Sequence, residues 1–113
     1  MGTPRLKAGF RAAAIIRPAQ LAGHFAALVK RGDEDAGALL LQLEYADRRM
    51  DLLMEANRGD GARIWRCLNG EGPADAARAA DLVAKEKRID PDLWIIAVEM
   101  NGDAVFLDEL VER

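Results

Sequence analysis

The run Leu93-Trp-Ile-Ile-Ala-Val-Glu-Met100 limits what this chain can fold into more than any other stretch, because its only charged residue is Glu99. A strand that is almost continuously apolar has to be covered on both faces, which predicts a central position in a sheet. At 113 residues, half of them apolar, the chain has the material for one domain over residues 1–113, and a domain of that size buries roughly two thirds of its unfolded surface.

Glycine-rich stretches divide the residues before that run. His24–Lys30 and Ala38–Tyr45 are short apolar runs on either side of Arg31-Gly-Asp-Glu-Asp-Ala-Gly37, and Met50–Ala56 and Ala62–Leu68 repeat the arrangement around Asn57-Arg-Gly-Asp-Gly61. Glycine supplies positive φ, and Asp or Asn bonds its own backbone at a turn, so both pairs read as β-hairpins joined by residues 46–49. After the apolar run, Asn101-Gly102 is a favoured two-residue turn. It makes Ala104–Leu107 a sixth, short partner strand and leaves the last six residues, DELVER, as a surface tail.

Two helices complete the pattern. Thr3-Pro4 suits a helix start, and Leu6, Phe10, Ala13, Ala14 and Leu21 fall near one helical face, with Gly23 as a stop. Pro18 has no N–H to donate to the Ala14 carbonyl, so residues 5–22 read as a kinked or two-piece helix. The competing reading is a strand over Phe10–Arg17 followed by a short helix. The second helix runs from Ala74 to about Arg88 behind Pro73, with a narrow apolar stripe of Ala76, Ala79, Ala80 and Val83. Asp75 at its start and Lys85, Lys87 and Arg88 near its end complement the helix dipole. The expected architecture is α+β in the order α-β-β-β-β-α-β(-β): a mostly antiparallel sheet of five or six strands with two helices on one face.

Composition excludes several classes. The net charge of −3, with 31% charged residues of both signs, argues against a dedicated nucleic-acid binder. Serine is absent, which removes serine hydrolases, and no phosphate-cradling glycine loop occurs. The single cysteine, Cys67, cannot form an intrachain disulfide and fits a reducing compartment. Arg11 and Arg17 interrupt the first apolar stretch, so no membrane helix or signal-peptide core is expected and the location reads as cytoplasmic.

The segments LKAGFRAAAIIRPAQLAG, RGDEDAGALLLQL and RIDPDLWIIAVE, with a later FLDE, together resemble the domain of unknown function 1491 (DUF1491) family of short bacterial proteins. The most specific pieces are Arg31-Gly32-Asp33 followed by Asp35-Ala36-Gly37, and Asp90-Pro91-Asp92-Leu93-Trp94. The resemblance implies a free-standing bacterial cytoplasmic protein and brings no activity, cofactor or catalytic residue with it.

Several residues invite a functional reading. Asp33, Glu34 and Asp35 offer oxygen ligands for a divalent metal, and a two-metal site would need Glu44 or Glu99 in addition. The competing reading is a solvated turn, and the repeat of Arg-Gly-Asp at 31–33 and 58–60 favours turn chemistry over adhesion. His24 and Cys67 permit a nucleophilic pair on paper, although nothing beside Cys67 would activate it. Asp90 and Asp92 with Glu99 would make an acidic cleft, or the two aspartates simply cap local backbone. In Ala62–Leu68, Arg63, Trp65 and Cys67 alternate onto one face. Arg63 beside Trp65 offers a stacking platform or, more simply, an arginine covering a half-buried tryptophan. Arg5, Lys7, Arg11 and Arg17 add a basic start, and Trp94 reads as core.

The lack of a catalytic set favours a small non-catalytic binding or adaptor protein, with a protein partner or a second copy meeting a sheet edge or the strip around Trp65. Its candidate binding residues are Arg63, Trp65 and Arg11. The alternative is a metal-dependent phosphodiesterase or nucleotide-handling enzyme using Asp33, Asp35, Glu44 and Glu99. A weak nucleic-acid binder ranks third. No cofactor is expected beyond that divalent metal.

Overall fold

The computed structural model describes residues 7–113, with Leu110 described by its backbone. Its elements are α1 (Ala8–Leu21), β1 (Phe25–Lys30), β2 (Leu39–Glu44), β3 (Met50–Asn57), β4 (Arg63–Cys67), α2 (Ala76–Ile89), β5 (Trp94–Glu99) and β6 (Leu110–Glu112). The α+β class and the element order agree with the sequence reading. The sheet is mixed rather than mostly antiparallel, in the order β1-β5-β2-β3-β4-β6. Three pairings are antiparallel and two, β2 with β5 and β4 with β6, are parallel.

The first expected hairpin does not form. β5 lies between β1 and β2, antiparallel to one and parallel to the other, which is where a strand covered on both faces belongs. The loop between β1 and β2 makes a local turn at residues 33–37, where Gly37 N donates to Asp33 O at 3.0 Å, and it is docked on the entry to β5. Asp33 N donates to Asp92 O at 3.0 Å, Trp94 Nε1 donates to Asp33 O at 2.8 Å, and Trp94 N donates to Ala38 O at 2.9 Å. Its glycines do not need positive φ. A Cβ at Gly32 would lie 2.0 Å from Asp92 O, and one at Gly37 would lie 2.5 Å from Trp94 Cδ1. They are glycines because the β5 entry presses against them.

The second hairpin, β3–β4, forms as expected, with Gly61 at φ 86° and Ala62 N held by Asp60 Oδ1. After β5, Asn101-Gly102 does not open a hairpin: both edges of β5 are already occupied. The chain crosses the sheet instead, and the expected surface tail supplies β6, which runs parallel to β4.

The helices cover opposite faces rather than one. Leu39, Leu41, Trp94, Ile96 and Val98 join Ala8, Ala12, Ile15 and Ala19 of α1 in one core. Leu40, Leu52 and Ile95 join Ala79 of α2 in the other. Alternation along β2 and β5 thus feeds two hydrophobic layers, each closed by one helix. α1 is a single helix that continues past Pro18, whose missing N–H falls in the last turn. Its buried face is Ala8, Arg11, Ala12, Ile15 and Ala19, not the expected one; Phe10 and Leu21 are 69% and 73% exposed. The expected Thr3-Pro4 start and Leu6 lie outside the described residues. At the first helical turn, Ala8 N donates to Glu34 O at 3.0 Å and Gly9 N to Glu34 Oε2 at 3.3 Å, so a distant loop caps the helix. α2 starts at Ala76 rather than at the expected Ala74, which instead bridges Met50, and it is capped locally by Asp75 accepting from Arg78 N at 2.8 Å.

Candidate functional site

α1 packs on β1 and β5, which leaves the α1 side of β3 and β4 without a helix above it. An open cleft of about 1140 Å³ lies there, between α1, the two strands and residues 105–109. Arg11, Ala14, Pro18 and Leu21 line one wall at helical spacing. Glu55, Arg63 and Trp65 form the floor, and Val105 to Leu107 close the far side. The three residues singled out from the sequence for binding, Arg11, Arg63 and Trp65, therefore meet in one place.

The polar end is an ion triad. Arg11 Nε and Nη2 lie 3.1 and 3.0 Å from the two oxygens of Glu55, and Arg63 Nη1 lies 2.5 Å from Glu55 Oε2. Arg11 also donates to Gly37 O at 2.9 Å, which ties the triad to the loop before β2. Glu55 and Arg11 are nearly sealed from solvent, at 10% and 8% side-chain exposure, whereas Arg63 keeps 32%. Burying two charges is tolerable only because the pair is bidentate and hydrogen-bonded all round. Arg63 pairs with Glu55 and not with a tryptophan ring. Trp65 is 1% exposed, so it is floor rather than an exposed strip or stacking platform. Its Nε1 points to Glu109 Oε2 at 3.5 Å. The cation–π contact that does occur puts Arg31 5.2 Å from the Trp94 ring centre.

The apolar end carries Leu21 and Val105, 73% and 84% exposed. The segment bearing Val105 is fixed by buried His24. His24 Nδ1 accepts from Asn101 N at 2.9 Å, so Nε2 carries the proton and donates to Ala104 O at 2.7 Å. The imidazole also meets the Phe106 ring edge-on, with centroids 5.5 Å apart. His24 is a staple, not half of a nucleophilic pair. Cys67 lies elsewhere, with its thiol 3.2 Å from Asn69 Oδ1.

The four carboxylates named for metal binding are not brought together. Asp33 Oδ2 accepts from Asp35 N and Ala36 N at 2.9 and 2.6 Å, a turn-forming role, and Asp35 is exposed opposite Lys7 at 3.9 Å. Glu44 and Glu99 are register neighbours at the far end of β2 and β5, whereas Asp33 sits where Trp94 begins β5. Five strand steps separate the two groups, roughly 16 Å. Among the described residues no three His, Cys, Asp or Glu side chains gather as metal ligands. Asp90 Oδ1 accepts from Asp92 N at 3.0 Å, a capping role.

One polar cluster was not visible in the sequence. Asp51, 2% exposed, accepts from Tyr45 Oη at 2.6 Å, from Asn69 Nδ2 at 3.0 Å and from Arg113. Burial by itself pushes the Asp51 carboxyl up. The hydrogen bonds from Arg113, Tyr45 and Asn69 outweigh it and hold the carboxyl below its ordinary value. Burial, followed by the bond to Asp51, pushes the Tyr45 phenol up.

A three-layer α+β domain with an open cleft beside its first helix is the class of protein defined by this fold and site. The family model described as "Protein of unknown function (DUF1491)" matches residues 6–108, and the chain belongs to that family. It is similar to a DUF1491 family protein from Caulobacter crescentus CB15 solved by crystallography at 1.87 Å, with 34% identity and a TM-score of 0.82 over 96% of this chain and 100% of that one. An NMR structure of a DUF1491 family protein from the same organism gives 33%, 0.81, 98% and 100%. A solution structure of a protein from A. tumefaciens gives 29%, 0.79, 97% and 98%. No curated protein matches the chain.

Proposed function

We propose that this chain is a small cytoplasmic, non-catalytic binding protein whose α1–β4 cleft receives an extended segment of a partner protein with apolar anchors and a polar end. The observation that carries this reading is the polarity of the cleft. Leu21 and Val105 stand exposed at one end, and Arg63 keeps a third of its side chain in solvent at the other. Metabolite sites are usually 300–1,000 Å³ and close around the ligand. An open trough of about 1140 Å³ suits a peptide better. Both oxygens of Glu55 are already held by guanidinium donors, which fits recognition better than acid–base work. The cytoplasmic reading is supported by Cys67, buried without a disulfide, and no helix among the described residues is long and apolar enough to cross a membrane.

The test is an amide chemical-shift titration of the ¹⁵N-labelled protein with amphipathic octapeptides and, separately, with a mononucleotide plus Mg²⁺. The peptides are expected to move the amides of Ala22, Arg63, Val105 and Phe106. A response to the mononucleotide centred on Asp33 or Glu99, or no peptide response in the cleft, overturns the reading.

A further inference from the structure

His24 is the only histidine of the chain, and its ring is buried where α1 gives way to β1. Both ring nitrogens are committed to the backbone of the segment that leaves β5. Nδ1 accepts from Asn101 N at 2.9 Å, and Nε2 donates to Ala104 O at 2.7 Å. Residues 101–109 have neither helix nor strand geometry, turn at Gly102 with φ 82°, and carry exposed Val105. Only Phe106 and Leu107 of that segment are half-buried. So thinly packed a stretch opens locally at low cost. It is also the far wall of the cleft.

We propose that His24 is a proton-operated clasp: the neutral ring holds residues 101–107 against the cleft, and the protonated ring releases them. A second proton has to enter at Nδ1, because Nε2 already carries one. There it meets the Asn101 N–H, and a hydrogen bond becomes two donors facing each other. The imidazolium would also be a buried cation, which is unfavourable without an opposite charge. The charged residues near the ring are Arg17 on α1, Glu99 at the end of β5 and Asp103 in the turn, all exposed. Neither carboxylate forms an ion pair with His24 among the described residues. Farther along the segment, Asp108 is exposed and Glu109 is met by Trp65 Nε1, while Lys30 is held at the other end of β1 by Pro91 O and Leu93 O. A freed imidazole takes a proton below about pH 6.5, and the clasped ring has to give up Asn101 first, so acid favours release. Carboxylates titrate near pH 4 and thiols near pH 8.5. His24 is therefore the side chain that changes charge between about pH 5.5 and 7.5. The clasp acts on the wall itself, whether or not the cleft takes a peptide.

The test is amide hydrogen exchange of the ligand-free protein at about pH 7.5 and about pH 5.5, expressed as protection relative to an unstructured chain. Protection of the Asn101 amide is expected to fall about tenfold between the two, the linkage value for one proton taken up by the open form. The amides of β2 and β5 are expected to change by less than about twofold. His24→Gln keeps a donor and an acceptor but takes no proton, so its Asn101 protection should be the same at both values. If that variant fails to fold, the ring of the wild-type protein is followed by NMR, and ring and Asn101 amide have to titrate with one midpoint. Unchanged wild-type protection overturns the proposal, as does a fall spread evenly over the sheet. A His24→Gln protein that keeps the pH response, or two separate midpoints, overturns it as well.

Discussion

Asp51 and Arg113 are 62 positions apart and share two hydrogen bonds, Nη1 to Oδ1 at 3.1 Å and Nη2 to Oδ2 at 2.5 Å. Asp51 is 2% exposed on its side chain and Arg113 is 40% exposed, so an arginine just past β6 reaches in to neutralise a buried carboxylate. Hydrogen bonds to charged groups contribute about 1.5–3 kcal/mol each when a partner is removed. Arg113→Ala is expected to lower stability by about 2 kcal/mol in urea unfolding. Asp51→Asn is expected to lower it by a similar amount. The folded Asp51 carboxyl titrates below its unfolded value near pH 4. Its contribution is therefore complete above about pH 4 and is lost as pH falls through the lower, folded value. Asp51→Asn should flatten that acid limb of the stability curve, and an unchanged limb would show that other carboxylates set it.

Glu55 is the hub of the cleft's polar end. Glu55→Gln removes the carboxylate charge from beside buried Arg11, and breaking a buried pair from one side costs about 3–5 kcal/mol. Replacing both members, Arg11→Met with Glu55→Leu, should cost less than Glu55→Gln alone. A double variant as unstable as the single one would mean that packing, not the stranded charge, sets the penalty.

Gly32 and Gly37 stand against the entry to β5. Gly37→Ala puts a methyl group 2.6 Å from Asp33 O and Asp92 O, an overpacking expected to cost about 1–3 kcal/mol. That corresponds to a fall in Tm of roughly 5–15 °C. Gly59→Ala is the control, since a Cβ there meets nothing within 4 Å, and its Tm should stay within about 2 °C.

His24 fixes the segment that walls the cleft. His24→Ala removes the bonds to Asn101 N and Ala104 O, about 1 kcal/mol each. Amide hydrogen exchange from residue 101 to 107 should accelerate by at least about tenfold, with less change in β2 and β5. Uniform acceleration across the sheet would assign His24 to the core as a whole.

Much of this was legible in the sequence because it is local. The apolar run from Leu93 to Met100 marked the central strand, the Asn57–Ala62 turn marked the β3–β4 hairpin, and the parity of Arg63, Trp65 and Cys67 placed all three on one face. The illegible parts depend on distant neighbours. Gly32 and Gly37 suggest a hairpin turn until β5 is known to press on them. Arg11 reads as solvent-facing until Glu55, 44 positions on, gives it a reason to be buried; that swap turned the helix face. The Asp51 cluster draws on Tyr45, Asn69 and Arg113, which no short-range spacing links.

The placement of β5 also governs when this molecule can form. β1 has no strand to bond to until Trp94–Glu99 has left the ribosome, and neither does the β5-facing side of β2. β1 and the β2–β3–β4 meander share no strand pairing of their own and are joined within the sheet through β5. Folding dominated by such long-range pairing is slow, and a nascent chain halted before Asp90 would display the unpaired margins of both to whatever else is nearby.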